Sequence, residues 1–181
     1  AATSIAGTGI TAPFTFKGGG YPGTGGTCGG TLNAGASCTV VVTFNPSVTG
    51  SFNQTVALGY NDGAQVQSST RDLQGTGATP ASITISNGPT YSFGTVANGS
   101  STDVSLTLTN GGGVSATSMS GSGLSAPYTF KGGSYPGTAG TCGATLAAGA
   151  NCTIVVNYNP STIATHNATV SVGYTDGLNA Q

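Results

Sequence analysis

The chain has 181 residues, enough to bury a core in one large domain or in two small ones. Only 4% of them are charged, three basic and four acidic for a net charge of −1, where an ordinary globular protein has about 25%. That inventory excludes a phosphate-tracking, nucleic-acid-binding surface and a basic membrane patch, and no apolar run approaches the roughly 18 residues of a membrane span. Gly 32, Thr 30, Ala 21 and Ser 20 make up 103 of the 181 positions. Charge this low suits an extracellular, assembled or anchored setting better than a dilute cytosolic one. There is no initiator Met, charged n-region or apolar h-region, so a secretion signal is expected to have been removed or to lie outside these residues.

In chain order, Phe14 and Phe16 claim a buried face and leave Thr15 and Lys17 on the other. A Gly-rich connection follows over 18–30, with the turn Tyr21-Pro22-Gly23 and then Cys28. Cys38, Val40, Val42 and Phe44 alternate with Thr39, Val41 and Thr43, which predicts a strand with one buried face. Val56, Leu58 and Tyr60 predict another, closed by the turn signal Asp62-Gly63. Gly75 to Pro80 reads as a short linker stiffened at its end by Pro80. Turns at Asn87-Gly88, Asn98-Gly99 and Asn110-Gly111 bracket the alternation of Val104, Leu106 and Leu108. No window carries a helical stripe, so the chain is predicted to be all-β.

From residue 115 the sequence repeats itself. Residues 1–67 align without a gap on 115–181, offset by 114, with 40 identities. Residues 81–114 have no counterpart in the first copy, and 68–80 have none in the second. The organisation predicted is 1–77, the C-terminal part of a first repeat; 78–81, a linker; and 82–181, a second repeat lacking its last strand. A period of 114 suits a whole β-sandwich domain of about 100 residues. Seven or eight short strands per unit, at 8–14 residue spacing, suggest tandem immunoglobulin-like antiparallel sandwiches. Both copies are expected to be open at a sheet edge, as in an excerpt of a longer array, with strand exchange between copies as the rival.

Tyr91-Ser92-Phe93-Gly94-Thr95-Val96, Gly99 and Leu106-Thr107-Leu108-Thr109-Asn110-Gly111-Gly112 resemble the opening of the bacterial choice-of-anchor D domain, a group related to the Hydin-type immunoglobulin-like domains. Gly18-Gly19, Tyr21-Pro22-Gly23-Thr24, Gly26-Thr27-Cys28-Gly29, Leu32, Gly35, Cys38, Phe44-Asn45-Pro46 and the closing Leu73-Gln74-Gly75-Thr76-Gly77 resemble it too. The resemblance covers nearly all of the chain. It implies secreted, multi-domain bacterial surface proteins with varied anchors, and it carries no catalytic residues to transfer.

Four cysteines permit three pairings. Their identical places in the two copies favour pairing within a copy, Cys28 with Cys38 and Cys142 with Cys152. The segments between them hold Ala-Gly turn signals at 34–35 and 148–149 that let the chain double back. A zinc site would need paired short spacings and a repeated His, which the sequence lacks. Disulfides imply an oxidising compartment.

Chemistry is sparse elsewhere. The single His, His166, aligns with Phe52 and is expected to be a strand side chain. Asp62 and Asp176 precede Gly in turns, with a calcium ligand as the rival role. The Gly-rich runs lack the Gly-Lys-Ser/Thr ending of a phosphate loop. Lys17 and Lys131 recur, as do Asn45/Asn159 and Asn53/Asn167, but alternation turns the lysines away from the core and against a buried Lys–Asn isopeptide. The sequons at Asn53, Asn98, Asn151 and Asn167 fit chance in a Ser/Thr-rich chain. An ice-binding face would need a flat Thr array, and these Thr residues are scattered over strands and loops.

The expectation is a non-catalytic structural repeat of a secreted bacterial surface fibre, stalk or adhesin, needing no cofactor or metal. Its partners would be neighbouring repeats or copies of the same protein. The alternative is a glycan- or ligand-binding module, with Tyr21 and Tyr135 as candidate ligand contacts.

Overall fold

The computed structural model describes all 181 residues. It contains strands, turns and irregular segments and no helix, and hence no helix long and apolar enough to cross a membrane. The chain divides into two compact units, Ala1–Ala78 and Thr79–Gln181. The division falls inside the expected linker, but Thr79 to Ala81 are built into the second unit. Ala81 is buried in its core, the Ala81 amide donates to the Asp176 carbonyl, and the Gly113 amide donates to that of Thr79.

The first unit holds β1 (Ala2–Thr8), β2 (Phe14–Phe16), β3 (Thr31–Leu32), β4 (Val42–Phe44), β5 (Gly50–Asn61) and β6 (Val66–Gly77). One antiparallel sheet has the order β3-β1-β5-β6, and β2 pairs with β4 in a second. Asn61 of β5 faces Val66 of β6 across the Asp62-Gly63 turn, and their ladder runs on to Gly50 and Gly77. Phe14 and Phe16 are buried, and Phe14 packs on Phe44 with ring centroids 4.7 Å apart.

The second unit holds β7 (Ile83–Ile85), β8 (Thr102–Asn110), β9 (Thr117–Ser122), β10 (Tyr128–Phe130), β11 (Asn151–Tyr158) and β12 (Ser171–Thr175). Its larger sheet has the order β10-β11-β8-β7, and β12 pairs with β9. Alternation along β8 buries Val104, Leu106 and Leu108, and Cys152, Ile154 and Val156 of β11 lie on the same face. Met119 from β9 and Phe130 from β10 join this core, so both sheets contribute to it, as in a β-sandwich. Leu108 and Ile154 are fully buried. Each such side chain contributes about 1.5–3 kcal/mol by leaving water.

Two expectations about strand extent are corrected, and for one physical reason. The strand expected over Cys38 to Phe44 begins only at Val42. Its equivalent β11 is regular from Asn151, where β8 runs beside it; β10 reaches only Val156 to Tyr158. Without a β8 equivalent, residues 38–41 have no ladder to join. Likewise β5 is regular from Gly50 because β6 pairs along its whole length, whereas β12 starts at Ser171, where β9 begins to pair. His166, expected as a strand side chain, therefore lies in the irregular segment before β12.

Candidate functional site

The features that recur with most detail are the two Gly-rich loops, 18–30 and 132–143. Each leaves a short Phe-bearing strand and returns across residues 39–41 in the first unit or 153–155 in the second. In the first loop the Lys17 amide donates to Val41 O, the Val41 amide to Pro22 O and the Thr27 amide to Thr39 O. The second loop has the same bonds at Lys131, Val155 and Thr141. Gly23 and Gly137 sit at φ +89° and +91°, and a Cβ on either would run into the carbonyl of Val41 or Val155. The hydroxyls of Thr27 and Thr39 lie 3.1 Å apart, and those of Thr141 and Thr153 3.2 Å apart.

The cysteines close these loops. Disulfides join Cys28 to Cys38 and Cys142 to Cys152, with Cα atoms 4.8 and 4.9 Å apart, and no free thiol remains. Cys142 and Cys152 are both buried in the second unit, whereas Cys28 is buried and Cys38 only half-buried.

Tyr21 and Tyr135 take equivalent places. Tyr135 meets Phe130 edge to face at 5.7 Å, and Tyr21 meets Phe16 at the same distance. Each ring also covers a glycine, Gly7 under Tyr21 and Gly121 under Tyr135. The Tyr135 hydroxyl donates to Gly143 O at 3.4 Å, and the Tyr21 hydroxyl is buried without a partner. Burial pushes both phenols above their ordinary range. These rings are engaged in packing and do not stand free as a stacking platform. A Cβ at Gly121 would run into the rings of Tyr135 and Phe130. Gly121→Ala is therefore expected to destabilise the second unit by about 1–3 kcal/mol in a urea melt. An unchanged midpoint would show that the ring does not rest there.

The acidic side chains hold backbone. Asp62 Oδ1 accepts from the Ala64 and Gln65 amides, each at 2.8 Å, and Oδ2 from Gln67 Nε2 at 3.0 Å. Asp176 repeats this with Leu178, Asn179 and Gln181. These bonds, the Gln65 and Asn179 amides foremost, hold both carboxyls below the usual range. No group of three metal-ligating side chains comes together. Asp103 is lowered as well, by Lys131 Nζ at 2.8 Å from its Oδ2 and by Asn157 Nδ2 at 2.7 Å from its Oδ1. A lowered folded-state pKa stabilises above the unfolded value of about 3.9 and is lost as pH falls through the folded value. The thermal midpoint is thus expected to stay flat from neutral pH to about pH 4 and then to fall. Asp176→Asn should flatten that acid limb, and an equally steep limb in the variant would refute the assignment.

His166 lies between two hydroxyls, with Nδ1 3.1 Å from Tyr158 Oη and Nε2 3.1 Å from Thr162 Oγ1. Its backbone carbonyl accepts from the Tyr128 hydroxyl at 2.9 Å. The ring pins an irregular segment against the aromatic cluster of Tyr128, Tyr158 and Phe93. Lys131 pairs with Asp103 at a half-exposed position, not in the dry surroundings that an isopeptide needs.

Two polar residues of consequence escape a reading of the sequence. Asn110 reads as half of an Asn-Gly turn, yet it ends β8 fully buried. Its Oδ1 accepts from the Ser82 and Gly112 amides, and its Nδ2 donates to the carbonyls of Val114, Leu146 and Ala147. Asp103 reads as an isolated acid, and its only signal is a Lys repeated in both copies. No protein-family model matches the chain, and no curated protein matches it.

Proposed function

We propose that the chain is a non-catalytic structural repeat of a secreted bacterial surface fibre, stalk or adhesin, built from tandem immunoglobulin-like domains. One observation carries this reading: the topologies of the two units are complementary parts of one scheme under the 114-residue offset. The offset places β1 on β9 and β5 on β12. A complete repeat would then have one sheet in the order β7-β8-β11-β10 and a second in the order β3-β9-β12-β6, the two-residue β3 at its edge. Apart from β3, this order matches the A-B-E-D and C-F-G sheets of a constant-type immunoglobulin domain, which supports the reading. The resemblance to choice-of-anchor D domains points the same way. Two disulfides are compatible with an oxidising, extracellular setting. Three basic residues leave little for trypsin-like proteases, as suits an exposed fibre.

The test is a chain of several consecutive repeats viewed by electron microscopy. Filaments or long rods are expected. Compact particles, together with glycan-array retention abolished by Tyr21→Ala and Tyr135→Ala, would overturn the reading in favour of a ligand-binding module.

A further inference from the structure

In the first unit, β4 is paired along one edge only, by β2. The Val41 carbonyl and the Asn45 amide bond toward the β2 side. By strand alternation, the backbone groups of Cys38, Val40, Val42 and Phe44 face the other edge. These four residues are half-buried. Their equivalents in the second unit, where β8 covers that edge, are 7%, 0%, 4% and 8% exposed. An unpaired edge backed by apolar side chains is a template for strand addition.

The second unit shows the chemistry of what fits. β8 runs antiparallel to β11, from Thr109 opposite Asn151 to Thr102 opposite Tyr158. It brings alternating apolar residues and a polar group near each end. Asp103 at one end binds Lys131. Asn110 at the other binds the carbonyls of Leu146 and Ala147. The first unit presents both counterparts, the exposed ammonium of Lys17 and the carbonyls of Leu32 and Asn33. β7 adds a third match: the Ile83 amide donates to the Tyr174 hydroxyl at 3.2 Å, and the first unit offers Tyr60 at the equivalent place.

We propose that the open edge of β4 is a strand-acceptor site, and that its occupant is a second copy of segment 79–114 within the same polypeptide, completing the repeat to which the first unit belongs. This rests on the reading of the chain as one part of a repeat array. Charge, apolar spacing and the positions of Asp103 and Asn110 select the occupant, so an arbitrary β-strand would not satisfy the site. The second unit's own β8 is held in its own core, where Leu108 is fully buried. That makes exchange of β8 between two chains costly and favours a covalently neighbouring donor.

The test fuses a copy of residues 79–114 ahead of Ala1 of the full chain, reproducing the junction between Val114 and Ser115. Hydrogen exchange of the amides at 38, 40, 42 and 44 should slow at least tenfold, toward the rates of 152–158. Unchanged exchange there overturns the proposal. If the fusion fails to fold, the free 79–114 peptide is added to the full chain instead. It should bind one to one and protect the same amides. Lys17→Ala should weaken it by roughly 2–5-fold, as an exposed ion pair does, and Asn110→Ala in the peptide by at least tenfold. No binding, or binding indifferent to both substitutions, overturns it equally. Sedimentation of the unextended chain identifies the source: it should stay monomeric. A concentration-dependent dimer with residues 38–44 protected would assign the occupant to a second chain and overturn the same-polypeptide assignment. Rods without protection at β4 would sink the acceptor site and leave the fibre reading standing. Protection with glycan retention and no rods would do the reverse.

Discussion

Asn110→Ala is expected to destabilise the second unit by about 3–5 kcal/mol, more than any other single polar change in the chain. The side chain is fully buried and serves five backbone groups. Truncation leaves the Ser82 and Gly112 amides and the Val114 carbonyl without their partner, while the Leu146 and Ala147 carbonyls keep the amides of Ala116 and Ala150. Each buried unsatisfied group costs about 1–3 kcal/mol, and partial relaxation keeps the sum below a simple total. Asn110 also clamps elements distant in sequence: the start of β7, the end of β8 and the turn after Leu146. Its loss should therefore act on the whole unit and not fray one end. In a guanidinium melt the midpoint should fall with the slope unchanged, the mark of altered stability without altered compactness. Asn110→Asp should be no better, because it keeps the acceptor, removes two donors and buries a charge. A loss below about 1 kcal/mol in Asn110→Ala would show that the site re-satisfies itself with water.

The contrast between Leu108 and Asn110 shows what a sequence discloses here. Leu108 belongs to an alternation with Val104 and Leu106, and a period of two is visible without any partner. The all-β class, the strand at 104–108 and the turn at Asp62-Gly63 are local patterns of this kind, while the cysteine pairs are read from their identical places in the two copies. Asn110 carries a local pattern as well, Asn-Gly, but the pattern describes a turn while the side chain works across the fold. The ends of β4 and β12 were hidden for a different reason. Cys38 to Phe44 and Asn151 to Tyr158 have almost the same alternation. One is a strand throughout and the other only at its end, because extent is set by the neighbouring strand's length and presence. The Tyr-Pro-Gly loops illustrate a third limit. A tyrosine in a glycine-rich loop looks available for a ligand, and only the position of Gly7 or Gly121 beneath the ring shows where its apolar surface goes.

Removing a disulfide should weaken the two units unequally. Closing a loop of this size limits the unfolded chain by about 2–3 kcal/mol. That contribution is common to both pairs, since each spans a sequence separation of 10. The second pair adds packing: Cys142 and Cys152 both lie in the core cluster, and Cys152 stands opposite Leu108 in the ladder between β8 and β11. The double change Cys142→Ala and Cys152→Ala is thus expected to cost about 3–4 kcal/mol, at the upper end of the usual range. Cys28→Ala with Cys38→Ala should cost about 2 kcal/mol, because Cys38 is half-exposed and no ladder partner rests on it. Access orders the chemistry in the same way. A thiolate must reach a sulfur to attack it, so mild reductant without denaturant should open Cys28–Cys38 before Cys142–Cys152. Alkylation followed by peptide mass mapping at successive times reads that order, and alkylation without reductant should label no cysteine. Simultaneous opening of both bonds would mean that the edge beside Cys38 is as closed in solution as the one beside Cys152, and that the asymmetry between the two units is smaller than their strands indicate.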